Sequence, residues 1–353
     1  MSHKLISGPH VAAQRSVDQI MREVIIAVLP ACGLGVVLFG WPALFLLLVT
    51  VVSALVFEAF CLKLKGVKAM PCLYDGSALL TGLLTAMTLP PWAPWWIGVC
   101  GAAIAIVLGK QVYGGLGQNL FNPAMLARVA LLISFPIEMT SWANVTPLFT
   151  GPDMLQSFAI TFGGVVNHDA VTGATTLGLV KTGFSQNQTL PTLLADYSGV
   201  LAFLGWERGS LGETSSLLLL IGGYGLWRKG IIQWYIPLSL LSTVTLLALI
   251  SNLLDSAHYL SPWAQLNSGA LMLAAFFIAT DYVTSPNTPL GQIIFGCGCG
   301  VLMFVIRAWG GYPEGTGFAI LLMNAVTPLL DHYIRPRIYG RYRNGKPLDI
   351  SNS

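Results

Sequence analysis

GSALLTGLLTAMTLPP, residues 76–91, returns in altered form as GALMLAAFFIATDYVTSP, residues 269–286. Each copy opens on glycine, runs through small and apolar residues, and closes on proline. Each is followed by one apolar span and then a di-glycine. The sequels read GGLGQNLFNPAM from Gly114 and GGYPEGTGFAILLMNAVTP from Gly310. Gln118 and Glu314 each stand three residues after the second glycine of their copy. Five apolar spans separate equivalent positions, so the two copies run across a membrane in opposite directions. The order of features carries this repeat more than identity does. An inverted five-plus-five repeat is an architecture of membrane transporters.

The rest of the sequence agrees with a membrane setting. The 353 residues are 54% hydrophobic and only 9% charged, with mean hydropathy +0.70. Soluble domains carry about 25% charged residues. Apolar runs approach the roughly 20 residues that span a bilayer. The alternating pattern of a membrane β-barrel is missing. The expected fold is therefore an all-α polytopic membrane protein with about ten transmembrane helices. The spans fall near 24–41, 43–61, 73–90, 94–112, 121–141, 211–227, 232–253, 266–284, 290–308 and 315–334. The chain thus divides into an N-terminal segment 1–23, a first repeat 24–141, a polar segment 142–210, a second repeat 211–334 and a basic tail 335–353. Residues 1–23 hold no apolar core of a cleavable signal, so the first span is expected to direct insertion.

Charge sets the orientation. Of the 18 Lys and Arg residues, all but Arg128, Arg307, Lys181 and Arg208 fall on one side of these spans. Positive charge marks the cytoplasmic side. Both termini are then cytoplasmic and 142–210 is extracytoplasmic. Its one apolar run, MLQSFAITFGGVV from Met154, is too short to cross. A net charge of +3 spread this thinly argues against a nucleic-acid partner.

Several motifs compete for function. GCGCG, residues 296–300, suggests a metal site, but helix positions i and i+2 do not face each other, so packing is the expected role. The five histidines are scattered without ligand spacing, and no metal site or catalytic residue is assigned. Asn122-Pro123-Ala124 resembles a channel motif. A channel would need a second Asn-Pro-Ala, and the other half offers only MNAVTP, so the favoured reading is a helix start with Asn122 as cap and Pro123 in the first turn. Glu58, Arg128, Asp281, Arg307 and Glu314 lie in or beside spans. Such groups either serve function or pair to orient helices. Asp75 and Asp281 fall towards the cytoplasmic side, where an ion route or a cofactor pocket could use them.

DAVTGATTLG, residues 169–178, stands in the extracytoplasmic segment. It reads as an Asp-led turn before a short helix. It also presents the Thr175 hydroxyl after Gly173 and Ala174, open to a bulky group. Asp169, Thr172, Gly173, Ala174 and Thr175 together resemble the flavinylation motif of the Rnf and Na⁺-translocating NADH:quinone reductase complexes. SGPH at 7–10, YGGLGQNLFNPAM at 113–125, LLISFP at 131–136, AFFIATD at 275–281 and RAWGGYPEG at 307–315 extend the resemblance over essentially the whole chain. The short N-terminal region matches the Rnf branch. The family more often has Ser-Pro-His where SGPH stands. Thr176 replaces a common proline and becomes a rival attachment point by chemistry.

The resemblance implies FMN joined to Thr175 through a phosphoester, attached outside the cytoplasm by a flavin transferase. It implies a second, non-covalent flavin such as riboflavin, for which no motif marks residues. It implies a bacterial inner-membrane subunit that works with Rnf subunits A, B, C, E and G. Electrons would pass between ferredoxin or flavodoxin and NAD, coupled to Na⁺ or H⁺ movement. A linked phosphodiester keeps one negative charge, so Asp169 is expected to shape the turn or be read by the transferase, and Lys181 or backbone N–H groups at a helix start to balance the phosphate. The alternative from the repeat alone is a small-solute channel or secondary transporter, which would need no flavin. A structural scaffold with a vestigial motif is a third reading.

Overall fold

The computed structural model describes residues 15–67, 69–164, 175–186, 188–194 and 197–336. Among these, every regular element is helical. The first half holds α1 (Val17–Phe39), α2 (Trp41–Leu64), α3 (Ser77–Met87), α4 (residues 95–111) and α5 (Pro123–Ser134). Two outer helices follow, α6 (Met154–Gly163) and α7 (Thr176–Ser185). The second half holds α8 (Ser216–Arg228), α9 (Tyr235–Leu254), α10 (residues 271–278), α11 (Pro289–Trp309) and α12 (Thr316–Tyr333). In each half the second helix packs most closely on the fourth, α2 on α4 and α9 on α11. One continuous core joins the halves, with Val28, Met87 and Met125 from the first against Leu273, Phe295 and Ile320 from the second.

Local chemistry sets the ends. Ser16 and Gln19 form a reciprocal cap on α1, and Gly40, at φ +76°, turns the chain into α2. Asn122 accepts the Met125 N–H at 3.2 Å, with Pro123 opening α5. That is the helix-start reading of Asn-Pro-Ala. Pro289 opens α11 behind a Thr288 cap that accepts from Gly291 N–H at 3.2 Å.

α1, α2, α9 and α11 are long and apolar enough to cross a membrane. Ile26 and Leu29 on α1, Val52 and Val56 on α2, and Leu249 and Leu253 on α9 are exposed, as lipid-facing residues would be. The spans expected at 73–90 and 266–284 are shorter than the sequence suggests. α3 has 11 residues, a rise of roughly 16 Å and half of a bilayer core. Pro90 and Pro91 stop it, because proline lacks the N–H a helix needs. α10 is shorter still, held between Gly269 at φ +70° and the Asp281 turn. The third helix of each half is therefore a half-helix, as transporter repeats place beside their binding sites. Part of α4 and most of α10 are wound as π-helix, at 104–111 and 274–278. Such turns free backbone groups at functional positions.

α9 and α11 approach closely along Gly296 and Gly300. A Cβ on Gly296 would lie 2.0 Å from Ser239 Oγ and 2.8 Å from the Ile236 carbonyl. Small residues let apolar helices meet without a hydrophobic drive in lipid. Cys299 lies in the same buried seam, which assigns this part of GCGCG to packing. Gly296→Ala should destabilise the chain by about 1–3 kcal/mol, since the added carbon has no room. A lower thermal midpoint in detergent would show it, and an unchanged midpoint would mean that the helices separate freely.

α6 lies against α2, with Phe158 and Phe162 stacked around Phe45 and Trp95. It is a surface helix of ten residues, as the short run MLQSFAITFGGVV predicts.

Candidate functional site

α7 carries Thr175 at its start. Thr175 is extended, at φ −63° and ψ 159°, and its hydroxyl accepts the Gly178 N–H at 3.1 Å. Leu177 and Val180 bury one face of α7 against Leu190, Leu260 and Ala264. That apolar contact fixes the helix start in space. Thr175 itself is only 9% exposed, so its hydroxyl is not open as the small residues before it suggest. Asp169, Thr172, Gly173 and Ala174 lie outside the described residues.

The rival hydroxyl is engaged elsewhere. Thr176 donates to the Glu207 carboxylate, on the wall of a separate cavity with Tyr197 and Trp206. Burial pushes the Glu207 carboxyl up to about 7, against the smaller opposing effect of that hydrogen bond. A folded-state value above the ordinary 4.5 means that the native state binds the proton more tightly. The resulting stabilisation is complete below pH 4.5 and is lost as pH rises through 7. Wild-type protein should therefore lose more thermal stability between about pH 5 and pH 8 than Glu207→Gln does. Parallel slopes in the two proteins would remove Glu207 from the pH response.

Thr175 lines a small pocket with Arg128, Trp142, Glu213, Gly269 and Glu314. These residues come from both halves. Arg128, on α5, holds Glu314 through Nη2 at 3.2 Å and has Glu213 at 3.9 Å. Its guanidinium stands 5.8 Å from the Trp142 ring centre. Arg307, near the end of α11, lies 3.8 Å from Glu314 and donates to the carbonyls of Gln265 and Ser268, both at 2.9 Å. Glu314 also accepts from Ala270 N–H and from the Thr316 hydroxyl. Gly269 is required where these groups crowd the backbone. Its φ is +70°, and a Cβ there would lie 2.6 Å from Glu314 Oε1 and 2.8 Å from Arg307 Nη2.

Three of the five charges read from the sequence thus meet in one network. Glu58 instead pairs with Lys110 at 2.8 Å, and Lys110 also donates to Ser77. Asp281 accepts from Thr284 within its own turn. Lys181 donates to the Tyr312 carbonyl at 2.7 Å and does not line the Thr175 pocket. It stands six residues along α7 from Thr175, a rise of about 9 Å. Partial burial lowers its affinity for a proton. Glu207, Glu213 and Trp142 do not stand out in the sequence as site residues. Glu213 lies at the head of the span expected from 211, which was a signal for an in-membrane charge.

A larger cleft, about 790 Å³, opens on the side holding the Asn122 and Asp281 ends of the helices. Ser77, Lys110, Asn119, Asn122, Thr280 and Asp281 supply its polar groups, and Phe276, Phe277 and Ile232 its apolar walls. The two Asn-bearing motifs meet beside it. With its amide turned to satisfy both neighbours, Asn324 Oδ1 accepts the Asn122 N–H at 2.9 Å. The mixed polar and apolar lining suits a small organic ligand.

The chain as a whole is similar to known proteins. The model of the NQR2, RnfD, RnfE family matches residues 4–340. A protein of Halorhodospira halophila, named as the D component of an ion-translocating oxidoreductase complex, is 52% identical over 348 residues, 98% of each chain. One of Stutzerimonas stutzeri with the same name is 53% identical over 336 residues, 94% of this chain and 95% of the relative. One of Salmonella paratyphi B is 43% identical over 360 residues, 98% of this chain and all of the relative.

Proposed function

The chain belongs to the NQR2, RnfD, RnfE family, and from that premise we propose that it is the flavin-bearing membrane subunit of an ion-translocating electron transport complex. FMN is carried on Thr175 in phosphoester linkage. The observation that carries this reading is the position of the Thr175 hydroxyl, capping α7 on the wall of a pocket with a buried guanidinium. The residues fit the group. An ester on the Thr175 oxygen would bring a phosphate to the start of α7, where first-turn N–H groups favour anions. When bound, the isoalloxazine accepts electrons and passes them on, and the protein fixes its place and surroundings. Trp142 and Leu132 supply apolar walls, and Thr175 supplies the anchor.

The proposal extends to the whole complex. Electrons pass between ferredoxin or flavodoxin and NAD, and their passage drives Na⁺ or H⁺ across the bacterial inner membrane. Subunits A, B, C, E and G are the partners, and a flavin transferase loads Thr175 on the periplasmic side. The charge bias, which sets both termini in the cytoplasm, supports that side. The cleft at Asn119, Asn122 and Asp281 suits a second, non-covalent flavin such as riboflavin, with aromatic walls and a few polar groups. Mass spectrometry of the peptide 169–181 tests the central claim. A mass increase of one FMN less water, localised to Thr175, is expected. The unmodified peptide alone, from a fully matured complex, would end the proposal.

A further inference from the structure

The extracytoplasmic segment supplies few cations for a phosphodiester on Thr175. Lys181 is committed to the Tyr312 carbonyl. Arg208 lines the Glu207 cavity, not the Thr175 pocket. Arg307 is spent on Gln265, Ser268 and Glu314. Among the described residues the only cationic side chain that lines the Thr175 pocket is Arg128, from the first membrane repeat.

Arg128 is 8% exposed, and its Nη1 finds no hydrogen-bond acceptor among the described residues. A guanidinium presents five donors in a planar fork. Here Nη2 faces Glu314 and Glu213, which leaves the Nη1 donors buried and unmatched. A buried charged donor without an acceptor is costly. Trp142 and the ion pair hold the guanidinium in place. Arg128, Arg307, Glu213 and Glu314 sum to zero charge when all are ionised. An anion in the pocket that Arg128 and Thr175 share would find the unmatched Nη1 donors and the positive end of α7.

Resting on the flavinylation of Thr175, we infer that Arg128 holds the phosphodiester of the linked FMN through its Nη1 donors. Arg128 is a positioning residue that joins the flavin anchor to the membrane repeats. Glu213 and Glu314, which line the same pocket, orient it through Nη2.

The test uses the full chain, matured with its flavin transferase and purified in detergent. Intact mass first establishes flavin on the wild-type chain. The ³¹P resonance of the phosphodiester is then compared before and after proteolytic release of the flavin peptide. A shift on release is expected. In Arg128→Gln the folded-state resonance should move to the position of the released peptide, and in Arg128→Lys it should stay near wild type. Arg128→Gln combined with Glu213→Gln keeps the buried charge matched, and serves where the single variant does not fold. A wild-type resonance that does not move on release would overturn the role of Arg128. So would a Gln variant, single or double, that keeps the wild-type position. Wild-type chain lacking flavin mass would instead overturn the Thr175 reading, and Arg128 with it.

Discussion

Thr175→Ala is expected to abolish covalent flavin on this chain, leaving no fluorescent band on a denaturing gel. The loss is complete because alanine has no oxygen to esterify. The fold should survive. Thr175 caps α7, and losing such a cap costs about 1 kcal/mol. Thr175→Ser keeps both the oxygen and the cap, so it should keep the flavin. Thr176→Ala should also keep it, since the Thr176 hydroxyl is turned to Glu207 and away from the Arg128 pocket. A fluorescent Thr175→Ala chain, with mass added at Thr176, would assign the anchor to its neighbour. Electron transfer in the complex should fall with flavin content across this series.

Glu314→Ala should be the most damaging single change to stability among the charged residues. Glu314 is the hub to which Arg128, Arg307, Ala270 N–H and Thr316 all turn. Its removal leaves Arg128 with only the more distant Glu213, at 3.9 Å, and Arg307 with only the neutral acceptors of Gln265 and Ser268. Breaking a buried pair from one side costs about 3–5 kcal/mol, because the remaining charge stays out of water. Glu314→Gln keeps an acceptor and should lose less. Glu23→Ala provides the contrast. Its partner Lys229 is half exposed, and exposed pairs contribute less than about 1 kcal/mol. Thermal unfolding in detergent ranks the three. Equal midpoints for Glu314→Ala and Glu23→Ala would mean that the network is solvated and holds nothing together.

Much of this was legible in the sequence, for reasons that can be named. The repeat shows because two half-helices need the same glycine and proline punctuation at Gly76, Pro90, Gly269 and Pro286. The helix start at Asn122 shows because cap and proline are adjacent in sequence. In-membrane charges such as Arg128 and Glu314 stand out against apolar neighbours. Their pairing does not show, since 186 residues separate the two and spacing says nothing about which helices meet. The shortness of α3 and α10 was hidden for a related reason. Their flanks are as apolar as their cores, and hydropathy does not register where backbone hydrogen bonding stops. A cation facing Thr175 was expected from the same loop because charge was counted along the chain. It arrives from α5, across the fold.

The network around Glu314 also has a consequence for biogenesis. Arg128 leaves the ribosome long before Glu213 and Glu314 do. Until they arrive, the inserted first repeat carries an unmatched guanidinium, at a cost of about 2.5–3.5 kcal/mol by insertion scales. Glu213, at the head of the second repeat, is the first acid to reach it. Nascent chains arrested before residue 213 should therefore be held by the insertion machinery or degraded. Chains arrested just beyond α8 should be tolerated better. The same charge pairing that stabilises the finished protein would then mark the moment its second half has been made.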